Sequence, residues 1–145
     1  MLGQKGIGGK TAKKDGKGNG DSKYKVDDKK LHYFIVVIKD KNIKLKDAQN
    51  SVSDFNREFH QLGKLRVSNV YLGSKTGTPV LVIRRFKTKA KAMDYYFSVE
   101  SNAASFLPEG TEYEAYPITQ FNYRAILKSK NMDGYKEFFE DNYLN

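Results

Sequence analysis

The chain has 145 residues, a net charge of +9 and 39% hydrophobic residues, which fits one small domain with a single hydrophobic core. It has no cysteine, so disulfides, thiol nucleophiles and cysteine-ligated zinc are excluded, while a cytoplasmic and a periplasmic setting both fit. No apolar run approaches the roughly 20 residues of a membrane-spanning helix, and the first 30 residues hold no apolar signal-peptide core.

Taken in chain order, residues 1–30 carry nine lysines against four aspartates, and seven of the twelve glycines. Such a stretch buries too little apolar surface to offset its ordering entropy. It reads as a flexible linker, with 1–23 a disordered Gly/Lys-rich tail and 24–144 one folded domain. The remaining residues, 31–145, are only mildly basic, with 17 cations against 13 acids.

Residues 31–38 (LHYFIVVI) predict a strand that is apolar on both faces, as in the middle of a covered sheet. Leu45, Ala48, Val52, Phe55, Phe59 and Leu62 form one stripe of an amphipathic helix, with Gly63 as its stop. Residues 64–72 (KLRVSNVYL) and 80–86 (VLVIRRF) predict two strands joined by a hairpin loop over 73–79. Thr88 caps a second helix over 89–101, with Ala92, Met93, Tyr96, Phe97 and Val99 inward. Pro108, Glu109 and Gly110 make a turn. Residues 111–118 (TEYEAYPI) predict a strand that Pro117 confines to an edge. Thr119 caps a helix over 120–129, and Asn131 or Asp133 opens a last one to about residue 143. Tyr135, Phe138, Phe139 and Tyr143 form its inner side.

The order β-α-β-β-α-β with two extra helices predicts an α+β, ferredoxin-like domain with a four-stranded antiparallel sheet. That topology places both βα-unit helices on one face. The two central strands are greasy on both sides, so the second face needs a cover, for which the aromatic C-terminal helices are the economical choice.

Catalytic constellations are sparse. Gly8, Gly9, Lys10 and Thr11 lack the spacing of a phosphate-binding loop and have no flanking strand or helix. His32 and His60 are the only histidines, and no cysteine supports them, so a metal site is not expected. His32 reads as a core-edge residue and His60 as a helix-end residue. None of Ser51, Ser53, Ser68, Ser74 and Ser98 sits in a nucleophile turn. Asp133, Glu137, Glu140 and Asp141 read as the wet side of the last helix, and Asp54, Arg57 and Glu58 as that of the first. No cofactor is expected.

Arg84, Arg85, Lys87, Lys89 and Lys91 form the one basic run of the folded part. With Tyr33 and Phe34 on the first strand, Arg84, Arg85, Lys87 and Lys89 are the candidate interaction surface. An RNA-recognition sheet of this strand order stacks bases on such aromatics. The third strand, VLVIRRF, lacks the glycine and aromatics of that pattern. The lysine-rich tail adds weak, salt-dependent attraction to nucleic acid.

Four stretches carry a family resemblance. They are Tyr24 and Asp27 followed by HYFIVV at 32–37; VSDFNREF at 52–59; Phe86, Lys89, Lys91, Ala92, Met93, Tyr95 and Tyr96; and Tyr135, Phe138, Phe139, Asn142 and Tyr143. Together they resemble the C-terminal domain of large bacterial envelope tetratricopeptide-repeat proteins associated with gliding motility and type IX secretion. The resemblance covers nearly all of 24–143 and brings no catalytic signature. It implies a non-catalytic assembly domain that binds other proteins, in a periplasmic or outer-membrane-associated setting. The chain itself contains no repeat of about 34 residues. Nucleic-acid binding through the tail and sheet is the alternative expectation. Whether the domain is a monomer or a homodimer is open at this level.

Overall fold

The structure, a computed structural model, describes residues 23–74 and 77–144. Of the tail expected over 1–23 only Lys23 is described, and the glycine-lysine stretch at 8–11 lies outside the described residues. The elements are β1 (His32–Ile38), α1 (Leu45–Phe59), β2 (Arg66–Leu72), β3 (Thr78–Phe86), α2 (Lys89–Ser101), β4 (Tyr113–Thr119), α3 (Gln120–Ser129) and α4 (Tyr135–Tyr143). Short 3-10 turns follow α1 at Gln61–Gly63 and α2 at Ala103–Ser105.

The strands form one sheet in the order β2-β3-β1-β4, antiparallel at every step. This is the expected α+β, ferredoxin-like arrangement. All seven residues of β1 are buried, because alternate side chains serve two different cores. Phe34, Val36, Leu81 and Ile83 join Val52 and Phe55 of α1 and Ala92, Tyr95 and Val99 of α2. Tyr33, Ile35, Val37, Val80 and Val82 join Tyr123 and Ile126 of α3 and Tyr135 and Phe139 of α4. The C-terminal helices therefore shut the second face of the sheet.

Local chemistry fixes most boundaries. The Thr88 hydroxyl accepts from the Lys91 amide at 3.3 Å, and the Thr119 hydroxyl from the Asn122 amide at 3.0 Å, so both expected caps are present. β4 is an edge strand. The Tyr135 hydroxyl donates to the Pro117 carbonyl at 2.7 Å, giving a partner to a buried strand oxygen. At the opposite edge, the Gln49 side-chain amide donates to the Val67 carbonyl at 2.9 Å, and Asn69 Nδ2 donates to Gln49 Oε1 at 2.7 Å. Both edges are thus partly blunted against pairing with another strand.

Several expectations need correction. α1 ends at Phe59, not at Gly63, and the left-handed residue is Lys64 with φ of +50°. The 3-10 turn swings Leu62 off the apolar stripe. In α2, Tyr95 is buried, whereas Phe97 is 55% exposed and Tyr96 is half-buried. α2 has this pattern because it meets the sheet through Ala92, Tyr95 and Val99, and α4 through Tyr96, whose ring lies 5.2 Å from Phe139. Neither Asn131 nor Asp133 caps α4. Its first residue follows Gly134, which takes φ of +82°, a conformation in which a Cβ is strained. Asn131 instead accepts from the Asp133 amide at 2.9 Å, shaping the turn ahead of it.

Residues 24–30, flexible by composition though assigned with 24–144 to the folded domain, are a strap laid along α3. The Tyr24 ring is buried against Tyr135 at 5.0 Å, and its hydroxyl donates to the Asp133 carbonyl at 2.9 Å. Asn122 grips the Lys25 backbone twice, accepting from its amide and donating to its carbonyl, each at 2.8 Å. Lys23 Nζ donates to Ser129 Oγ and Asn131 Oδ1 at 3.0 and 3.2 Å. Sequence composition missed this because only one side chain, Tyr24, supplies the burial.

Candidate functional site

The loop leaving α1, the end of β3 and the start of α2 meet at one end of the sheet and leave a groove of about 710 Å³. Its walls include Phe59, Leu62, Leu65, Phe86 and Tyr95, under Arg85, Lys87 and Lys91. The stop of α1 at Phe59 and the reversal at Lys64 push the intervening turn outward. Leu62 is 96% exposed at its tip, and Phe59 is 39% exposed beside it. A leucine so fully in water at the lip of an apolar groove is a surface feature that folding alone does not require.

A second depression, of about 660 Å³, adjoins the groove across the β2–β3 edge and is lined by Lys64, Arg66, Ser68, Arg84 and Arg85 among others. The two share Gly63 and Arg85. Among the described residues, none of Lys64, Arg66, Arg84, Arg85, Lys87 and Lys91 forms an ion pair. Only Glu58 and Asp94 contribute carboxylates to these walls. The whole end of the domain is electropositive.

The structure separates the six residues expected to form an interaction surface. Arg85 and Lys87 line the groove. Arg84 borders the second depression, where it donates to Ser68 Oγ at 3.1 Å and lies over the Tyr33 ring at 5.3 Å. Lys89 turns away and donates to the Asn142 carbonyl at 2.7 Å, in the last turn of α4, where a cation is favoured. Tyr33 and Phe34 are 4% and 0% exposed, on opposite faces of the sheet. Neither ring is presented to solvent for base stacking. Phe59 and Leu62, expected on the stripe of the first helix, and Tyr95, which was not expected on the inner side of the second, are the apolar side of the site. The signal that pointed to Leu62 was misleading, because it fitted the stripe of a helix that stops three residues earlier.

The groove also holds His60, whose Nε2 lies 2.9 Å from Ser98 Oγ. A serine beside a histidine raises the question of a nucleophile and its base. Burial alone pushes the His60 pKa down, with no carboxylate acting on it. No hydrogen bond from a third group orients its ring among the described residues. Ser98 sits inside α2, where backbone amides are engaged in the helix and offer no oxyanion site. The pair ties the end of α1 to α2. His32 is fully buried. Its Nδ1 donates to the Lys30 carbonyl at 2.8 Å, which leaves Nε2 to accept from the Tyr143 hydroxyl at 2.7 Å. Both ring nitrogens are thereby occupied. Among the described residues, no cluster of three or more His, Asp or Glu side chains is placed to hold a metal ion, and no helix is long and apolar enough to cross a membrane.

Comparison with known proteins returns no matching family model, no matching curated protein and no matching solved structure.

Proposed function

We propose that this chain is a non-catalytic interaction domain that assembles with other proteins, in a protein of the bacterial cell envelope. The observation that carries the interaction reading is the groove below Leu62, where exposed apolar side chains lie beside unpaired cations. That combination is typical of a protein-binding surface, with an apolar centre and a polar rim. The closure of both sheet faces supports the same reading, since it directs contact to the ends of the sheet. The Ser98–His60 pair, without a third group, offers no support for an enzyme. The envelope setting rests on the family resemblance of the four sequence stretches.

A photo-cross-linking amino acid placed at position 62 tests this in cells that make the protein, with position 109 as the control. Protein adducts at 62 and none at 109 are expected. Equal labelling at both positions, or none at 62, overturns the reading.

A second reading, nucleic-acid binding, is favoured by the unpaired Lys64, Arg66, Arg84 and Arg85. It predicts binding to single-stranded RNA that weakens steeply with salt. Loss of that binding on Arg66→Glu, together with RNA rather than protein adducts at position 62, would place it ahead of the first.

A further inference from the structure

The flank where α2 meets α4 has the opposite character to the groove. Tyr96 bridges the two helices, with ring centroids 5.5 Å from Phe97 and 5.2 Å from Phe139. Phe139 continues the aromatic seam to Tyr116 of β4 at 5.3 Å. Phe97 stands at the outer end of this seam, more than half exposed. Glu100 of α2 and Glu137, Glu140 and Asp141 of α4 are exposed as well, and none is in an ion pair among the described residues. Lys136 is the only cation on α4. Burial raises the Tyr96 pKa, and the charges of Glu100 and Glu140 raise it further, so carboxylates from both helices face this one ring.

The molecule thus carries an apolar hollow where Arg85, Lys87 and Lys91 outnumber Glu58 and Asp94 and, elsewhere, an apolar knob where Glu100, Glu137, Glu140 and Asp141 outnumber Lys136. The two patches lie on different sides of α2. Lys91, Asp94 and Tyr95 line the groove, while Tyr96 lies toward α4, with Phe97 exposed beside it.

We infer that the occupant of the groove is a second copy of this chain, which inserts Phe97 beneath Leu62 and sets its acidic flank against the groove's cations. The inference rests on reading the groove as a protein-binding surface and names its partner. The contact is heterologous, because it joins two different patches. It does not close as a two-fold pair, and each added copy leaves one groove and one knob free for the next. Complementary fields steer the encounter and make it sensitive to salt.

The test uses the full 145-residue chain in sedimentation velocity and light scattering over a range of concentrations. At low ionic strength the mass is expected to climb past twice that of the monomer, and in ~0.5 M salt the association should weaken by about tenfold or more. Leu62→Glu removes the hollow and Phe97→Ser removes the knob, both at exposed positions. Each variant alone should stay monomeric, and an equal mixture should form a complex of two chains that grows no further. Arg85→Glu and Glu140→Lys repeat the mixing test through charge alone. A wild-type chain that stays monomeric at low salt, a mixture that fails to associate, or association indifferent to these variants overturns the inference. If the chain is monomeric and position 62 still cross-links to another protein, the self-association is wrong and the protein-binding role stands.

Discussion

Tyr143, on the last turn of α4, donates a 2.7 Å hydrogen bond to Nε2 of His32, the first residue of β1, across 111 positions of the chain. The contact joins the final helix to the central strand. Because Nδ1 donates to the Lys30 carbonyl, the neutral ring presents Nε2 as the acceptor of this bond. A proton on Nε2 would require the Tyr143 hydroxyl to turn and accept instead, with the charged ring still buried.

Stability should therefore depend on pH through this ring. Burial, the largest effect, lowers the His32 pKa below its ordinary value, and burial lowers that of His60 as well. Above about pH 6.5, the ordinary histidine value, both rings are neutral whether the chain is folded or not, and their contribution is fully present. As the pH falls below that value, the unfolded chain takes up protons that the folded chain refuses. Stability declines until the lowered folded-state pKa is reached. Urea denaturation at pH 7.5, 6 and 5 should show the decline, and His32→Gln should flatten it. An unchanged slope in the variant would mean that His32 does not carry the effect.

Tyr135→Phe removes the hydroxyl that serves the Pro117 carbonyl on the edge strand. The ring stays and the buried oxygen loses its partner, so the expected cost is about 1–2 kcal/mol. The variant should melt at a lower temperature with the same circular dichroism spectrum. A neutral result would show that water reaches Pro117.

Removing residues 1–22 should leave the melting temperature nearly unchanged. Removing two more residues, or replacing Tyr24 by alanine, should cost about 3 kcal/mol, in the range of large aromatic truncations in a core. Burial, aided by Asp133 and Glu137, also pushes the Tyr24 phenol up to about 12. Phenolate absorbance should show this group titrating late in the folded protein and near 10 after unfolding. A raised pKa of this kind gives stability that is present below pH 10 and lost as the pH rises through the folded value.

Asn56 and Tyr95 form a buried polar pair between α1 and α2, with the Tyr95 hydroxyl donating to Asn56 Oδ1 at 2.5 Å. Asn56 Nδ2 has no partner among the described residues. Asn56→Leu alone leaves the Tyr95 hydroxyl stranded and should cost about 2–3 kcal/mol. Adding Tyr95→Phe should restore most of that loss, since removing both partners removes the mismatch. A double variant no better than the single one would point to steric strain from leucine instead.

The sequence carried the sheet because its signals were redundant. β1 and β3 are apolar on both faces, Thr88 and Thr119 stand at the caps, and Pro117 marks an edge; each agrees with the others. The closure of the second face was also legible, since two doubly apolar strands demand a cover and α3 and α4 held the remaining rings. What periodicity misjudged were positions where a helix meets more than one neighbour or stops without a breaker. Tyr95 and Phe97 exchanged places because α2 touches the sheet and α4 at once. Leu62 continued the stripe of α1 in the sequence, yet the chain turned at His60, which is neither glycine nor proline. The basic run announced an electropositive end, but nothing local told Lys89 to turn toward α4 while Arg85 and Lys87 stayed at the groove. Composition alone did not show the strap as ordered, because one tyrosine among lysines leaves no periodic pattern, although the domain boundary was expected at residue 24.

That strap also governs how the domain answers a pull. It runs from the end of α3, where Lys23 meets Ser129 and Asn131, back to its start, where Asn122 holds Lys25, before β1 begins. Tension arriving from the chain ahead of Lys23 meets side-chain bonds first and peels them one by one. The hydrogen-bond ladders of the central strand feel the load only after the strap has come away. Under load the strap should therefore act as a mechanical fuse, whose release uncovers the Tyr135 and Phe138 rings beneath Tyr24 while the sheet remains whole.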